Sequence, residues 1–255
     1  MTGKEINGTG GAAGSARRAA LPKRFYKDVA VKDEGGEAAL LLDGKPVRTP
    51  GKAALALPTR AAADAVAEEW RAQGERIDPE TMPLTRLANS AIDGVRGREQ
   101  AVAADIVRHA GSDLLSYRAE GPQGLIAAQA KHWDPVLAWV ERELDAPLCQ
   151  VTGVVHVEQP AASLDAIARR LKAFGAFELA ALHVMTQLTG SALLPLAVAL
   201  GQLAPEKAWA AAHVDEDFQI AKWGEEAEAA ERRAHRKRDF DAAARLLKLV
   251  DPPSR

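Results

Sequence analysis

Leu40-Leu41-Leu42-Asp43-Gly44-Lys45-Pro46-Val47 is the stretch on which the reading of the fold turns. Three leucines give an apolar extended run, Asp-Gly supplies two positions that tolerate positive φ, and Lys-Pro-Val resumes the chain. The pattern reads as a hairpin closed by a two-residue turn. Pro46 has no amide donor, which puts the returning strand at a sheet edge. Upstream, Phe25, Val29 and Val31 fall on one parity, as strand residues with a single buried face do. Downstream, Leu55 and Leu57 mark one more short strand.

Beyond this start the period becomes helical. Pro58-Thr59 opens a helix with Thr59 as N-cap, Ala63, Val66, Ala67 and Trp70 as its buried stripe, and Gly74 as its stop. Pro83 begins another, carrying Leu84, Leu87, Ala88, Ala91 and Ile92; a third, with Val102, Ala103, Ile106, Val107 and Ala110, ends near Gly111. From Pro122 onward helices dominate. Leu125 to Trp133 reads as one, and Asp134-Pro135 as the N-cap and first residue of the next. Pro147, Gly153 and Pro160 mark an interior break with an extended piece at Val154, Val155 and Val157. Ser163 then reads as the cap of a helix through Leu164, Ile167, Leu171 and Phe174, followed by Phe177, Ala181, Val184 and Leu188 at helical spacing. A last helix is expected from Pro205 through the acidic stretch at Asp215. Strands first and helices afterwards give an α+β chain: a disordered leader over residues 1–21, a small N-terminal strand-and-helix domain over 22–120, and a mainly α-helical C-terminal domain over 121–255.

Composition narrows the function. A formal charge of -2 gives no reason to expect nucleic acid or anionic membrane as a partner. The basic run Arg232, Arg233, Arg236, Lys237, Arg238 has no interleaved aromatic residue, and Glu228 precedes Arg232 by four, so it reads as a solvated, charge-laced helix. The most apolar run, Ser191 to Leu200, falls short of the ~20 residues of a membrane span and reads as a buried helix. Cys149 is the single cysteine, which rules out an internal disulfide and suits a reducing compartment. No secretory h-region is seen at the start, where five glycines outweigh Arg17 and Arg18. A bacterial cytoplasm is expected, or a mitochondrial matrix if the source is eukaryotic.

Motifs of chemistry are scarce. No phosphate-binding G-x-x-x-x-G-K-[ST], no H-E-x-x-H and no G-x-S-x-G occurs. Gly8-Thr9-Gly10-Gly11-Ala12-Ala13 follows no strand, and the six histidines (His109, His132, His156, His183, His213, His235) form no close pair at ligand spacing. The carboxylates Asp215, Glu216 and Asp217 invite a metal-dependent enzyme as the alternative function. Neighbouring helical side chains point about 100° apart, however, so three in a row need partners from elsewhere to converge on an ion. No cofactor, metal or catalytic residue is expected, and no heptad seam argues against a monomer.

Asp215-Glu216-Asp217-Phe218-Gln219-Ile220-Ala221-Lys222-Trp223-Gly224 mixes acids and aromatics on one helix, where a helix that merely covered a core would separate them. Together with Arg24-Phe25-Tyr26, Leu42-Asp43-Gly44, Thr49-Pro50, Pro58-Thr59, Glu69-Trp70 with Gln73, Met82 with Leu84-Thr85, Asp93, Tyr117-Arg118, and Trp133-Asp134-Pro135 with Trp139, it resembles, over about residues 23–250, the assembly chaperones that protect the alpha subunit of the F1 sector of ATP synthase. The resemblance implies an ATP-independent factor that holds the unassembled alpha subunit until the beta subunit takes its place. Glu216, Asp217, Gln219 and Trp223 are the expected client-binding residues; Glu216 and Gln219, three apart, share a helix face. Phe218, about 200° from Glu216, is expected with Ile220 to hold that helix to its own domain. Trp70, Trp133, Asp134 and Pro135 are expected to be structural.

Overall fold

The computed structural model describes residues 21–250; the expected leader otherwise lies outside the described residues. Strands β1 (Val29–Glu34), β2 (Glu37–Leu42), β3 (Lys45–Pro46) and β4 (Ala56–Leu57) form one antiparallel sheet in which β2 pairs with each of the others. The Asp43-Gly44 hairpin is present, with Leu42 opposite Lys45 and both turn residues at positive φ (47° and 77°). Asp43 Oδ1 also accepts from the amides of Lys27 and Asp28, and these bonds hold its carboxyl below the usual range. On β2, Ala38, Leu40 and Leu42 face the core in strict alternation. Phe25 departs from the expected parity: it precedes β1, and its ring is 73% exposed while Val29 and Val31 are half-buried.

Helix α1 (Arg60–Arg71) lays Ala62, Ala63, Ala65, Val66 and Ala67 on the sheet. Thr59 caps it by accepting from the Ala62 amide, and its hydroxyl donates to the Leu249 carbonyl at 2.6 Å. Trp70 is half-buried against Tyr26, whose hydroxyl donates to the Trp70 carbonyl. Helices α2 (Pro83–Ser90), prolonged by one wide turn over Ala91–Val95, and α3 (Glu99–Ala110) follow. β5 (Tyr117–Arg118) then pairs in parallel with β6 (Val151–Thr152) across the long helix α4 (Gln123–Leu144). The remaining helices are α5 (Ala161–Leu171), α6 (Ala176–Thr189), α7 (Leu193–Ala199), α8 (Pro205–Ala212), α9 (Val214–Trp223) and α10 (Ala227–Leu249). One hydrophobic cluster runs from Tyr26 to Val250. Among the described residues no helix is long and apolar enough to cross a membrane.

Four expectations are corrected. Asp134-Pro135 does not restart the chain: α4 continues through it. Pro135 removes one amide from the ladder, but Trp133, Val136, Leu137 and Val140 are buried on either side and hold the helix together. Asp134 instead pairs with Arg118 at 2.7 Å. Ser163 is not a cap; α5 starts two residues earlier and the Ser163 hydroxyl donates to the Pro147 carbonyl. The extended pairing after Pro147 involves Val151 and Thr152, not Val154, Val155 and Val157. The expected last helix is three, broken at His213 (φ -117°, ψ 20°) and at Gly224 (φ +87°). The buried tryptophans are Trp133, Trp139 and Trp209.

A buried acid joins the α3–β5 connection to the start of α7. Asp113 is fully buried; one carboxylate oxygen accepts from the Leu115 amide, and the other from the Ser191 hydroxyl and the amides of Ala192 and Leu193. Burial nevertheless pushes its pKa from 3.8 up to about 6, against those bonds. The folded state therefore holds the proton more tightly than the unfolded chain, and the stability due to Asp113 falls as pH rises from about 4 to about 6. The unfolding free energy of the wild type minus that of Asp113→Asn should drop by roughly 2 kcal/mol between pH 4.5 and pH 7. A difference independent of pH in parallel urea titrations would contradict this. Pro135→Ala, which restores an amide inside α4, should raise stability by up to about 3 kcal/mol; a lower melting temperature would show that the helix needs its proline.

Candidate functional site

Helix α9 stands on α4 by a short list of contacts. Val214 is buried at its base and Phe218 is half-buried, its ring 3.3 Å from where a Cβ on Gly124 would lie. A side chain at Gly124 would press the ring back by a few tenths of an ångström. Asp215 Oδ1 accepts from Gln129 Nε2 at 2.7 Å, and Gln129 Oε1 accepts from the Ala119 amide. Just below, Trp133 donates its indole N–H to the Ala211 carbonyl at the end of α8. The helix is thus seated at its first turn and projects from there.

The three acids diverge. Asp215 faces Gln129, Asp217 pairs with Arg233 of α10, and Glu216 lies within electrostatic reach of His213. Among the described residues no group of three His, Cys, Asp or Glu side chains is placed to hold a metal ion. A metal-dependent enzyme built on these carboxylates therefore lacks a convergent ligand set. His213 is buried, stacked on Trp209 at 3.9 Å, with Nδ1 hydrogen-bonded to the Trp209 carbonyl. Burial depresses its pKa, and the charges of Arg233 and Arg236 push the same way.

At 100° per residue, Glu216, Gln219 and Trp223 fall within about 60° of one another on α9, whereas Asp217 is turned about 100° from Glu216, toward its partner Arg233 on α10. Gln219 is exposed and Glu216 half-buried. Trp223 is 75% exposed with Lys222 Nζ 5.2 Å from its ring centre. Ile220 is half-buried, and of the pair expected to anchor the helix, Phe218 is the one packed against the hydrophobic cluster. A large bare aromatic beside a carboxylate and an amide suits an anchor in a protein–protein contact.

Many of the other sequence landmarks are tied to one another, and Phe25, Tyr26, Leu42, Asp43 and Trp70 also line a cavity of about 480 Å³. Asp93 accepts from the Thr49 hydroxyl and the Gly51 amide. Glu69 accepts from the amides of Leu84 and Thr85 and the Thr85 hydroxyl, capping α2, while burial pushes its carboxyl up. Arg24 reaches the Gln73 carbonyl, and the Gln73 side chain bonds Thr81 and Asp78. These are frame-holding contacts. Gln129, which orients α9, was not singled out from sequence; its signal was a polar residue inside the apolar stripe Leu125, Trp133, Val136, Val140. Arg233 gave none, since it lay inside a run of basic residues.

Asp217 and Arg233 are 48% and 19% exposed, so solvent screens the pair. A double-mutant cycle of Asp217→Asn and Arg233→Met should give a coupling below about 1 kcal/mol. A coupling of several kcal/mol in urea unfolding would mean that this ion pair, and not Gln129 and Phe218, seats the helix.

The family described as ATP12 chaperone protein matches residues 23–141. A crystal structure from Agrobacterium tumefaciens, described as that of a candidate chaperone, is 51% identical, with a TM-score of 0.87 over 91% of this chain and 87% of that one. Atp12 from Paracoccus denitrificans is 43% identical, with a TM-score of 0.84 over 90% of this chain and 99% of that one. The fission yeast protein atp12, mitochondrial, of Schizosaccharomyces pombe is 24% identical over 214 residues, covering 79% of this chain and 74% of the yeast protein.

Proposed function

Because the chain belongs to the ATP12 chaperone family, we propose that it is an assembly chaperone whose client is the unassembled alpha subunit of the F1 sector of ATP synthase. It binds that subunit without ATP, keeps it from aggregating and yields it to the beta subunit. An unpaired subunit exposes an interface patch larger than a monomer normally tolerates in water, and covering that patch suppresses aggregation. Release to the true partner requires a contact that is selective but not overwhelming. A few aromatic anchors within a polar rim provide it, because the anchors carry the affinity while the charges select the partner and speed encounter.

The observation that carries this reading is Trp223. Among the described residues it is one of four large apolar side chains left exposed, and it stands at the tip of a helix whose base is fixed. We assign client contact to Trp223, Gln219 and Glu216, with Asp217 at the margin beside Arg233. Trp133, Asp134, Phe218 and Trp70 have structural roles in this reading, and the protein acts as a monomer.

The test is light scattering of unassembled alpha subunit in the presence of each variant, alongside a thermal melt. Trp223→Ala should leave stability within ~0.5 kcal/mol, as exposed substitutions do, yet protect the alpha subunit poorly. Glu216→Lys, which also places a cation within reach of His213, should lose protection with a modest fall in melting temperature. Full protection by folded Trp223→Ala and Glu216→Lys would show that α9 is not the gripping surface.

A further inference from the structure

The segment Cys149-Gln150-Val151-Thr152-Gly153-Val154-Val155-His156-Val157 contains four valines and a threonine and no Asp, Glu, Lys or Arg. That is strand-forming composition, yet only Val151 and Thr152 are paired, in parallel with Tyr117 and Arg118. The Gly153 amide makes the last ladder bond, to the Arg118 carbonyl at 2.8 Å, and Gly153 then turns the chain at φ +92°. Before the strand, the buried Gln159 side chain closes both backbone groups of Cys149. After it, among the described residues, Val154, Val155, His156 and Val157 make no backbone–backbone hydrogen bond. Val154 is 95% exposed and Val155 72%. Among the described residues, the one side-chain hydrogen bond from these four runs between His156 Nδ1 and the Tyr117 hydroxyl.

Two bare valines in a valine-rich segment with unpaired amides and carbonyls offer a template for another strand. We propose that Val154–Val157 is a second client contact, which takes up an extended, uncharged segment of the client by strand addition. This rests on the client reading above. Position links the two surfaces: Gly153 is bonded to Arg118, the next residue Ala119 is bonded to Gln129, and Gln129 holds Asp215 at the base of α9. The valine segment and the base of α9 are therefore linked through the Gln129 side chain. A second copy of this chain is the poorer occupant. Four residues span only about 13 Å, whereas a stable interface covers about 800 Å² on each partner, so the edge suits a client already gripped elsewhere. Main-chain pairing supplies affinity in such contacts, and the alternate side chains supply selectivity.

Amide hydrogen exchange on the full chain, alone and with purified alpha subunit, reads the pairing directly. Slowed exchange among residues 154–157 only in the complex is the expected result. Successive strand amides point to opposite sides, so of Val154→Pro and Val155→Pro one should weaken alpha-subunit binding about 2- to 10-fold, the loss of one hydrogen bond. Both should melt like the wild type. A complex that forms while these amides exchange as in the free chain, or two proline variants that bind normally, overturns the strand contact and leaves the client reading standing. No complex with wild-type protein overturns both. Protection that appears without the client, together with a concentration-dependent dimer, gives the edge to a second copy and overturns the proposal.

Discussion

One side-chain amide sets α9 against α4. Gln129, 2% exposed inside the apolar stripe of α4, accepts from the Ala119 amide and donates to Asp215. A buried amide must satisfy its donors and acceptor or lose on the order of 1–3 kcal/mol for each group left unpaired. The requirement sets position: the segment after β5 and the first turn of α9 must both come to the same few ångströms of α4. Trp133, one turn along, adds the bond to Ala211 that sets the end of α8, and Gly124, near the N-terminus of α4, gives Phe218 its seat. The helix is fixed where it starts and bare where it ends. That division leaves Trp223 open to solvent without loosening the fold beneath it.

The rest of the frame follows a similar logic of long-range polar ties between short motifs. Thr49 with Asp93, Glu69 with Thr85, Arg118 with Asp134, and Thr59 with the Leu249 carbonyl each link distant parts of the chain. Their geometry ties these short motifs into the frame. It also accounts for the absence of a convergent polar cleft on α9, since its acids face Gln129, His213 and Arg233 rather than each other. The chain belongs to a family of chaperones, and Gln219 and Trp223 of α9 stand open to solvent.

Much of the fold was legible in the sequence because its signals are local. The Asp43-Gly44 turn, the Thr59 cap and the stripes of α1 to α3 are set by residues within one or two turns of each other. What escaped depended on distance. Pro135 reads locally as a helix start, and only the burial of Trp133 and Val136 on either side keeps α4 whole. The break at His213 falls where α8 packs Trp209 into the core and α9 turns to meet Gln129, and Gly224, at φ +87°, ends α9. Phe25 has a strand residue's chemistry but lies before the first hydrogen-bonded pair of β1. For the site, helical spacing alone grouped Glu216 with Gln219, while the ion pair that draws Asp217 to α10 lay 16 residues away in a run of similar cations.

The central claim is that this chain grips one unassembled subunit and surrenders it on assembly. Mixing the purified chain with purified F1 alpha subunit, then adding beta subunit, and following the species by native mass measurement tests that claim most directly. The account predicts a one-to-one complex with alpha that forms without nucleotide and dissolves as beta is added, freeing the chaperone. No complex with alpha, or one that survives saturating beta, would contradict it.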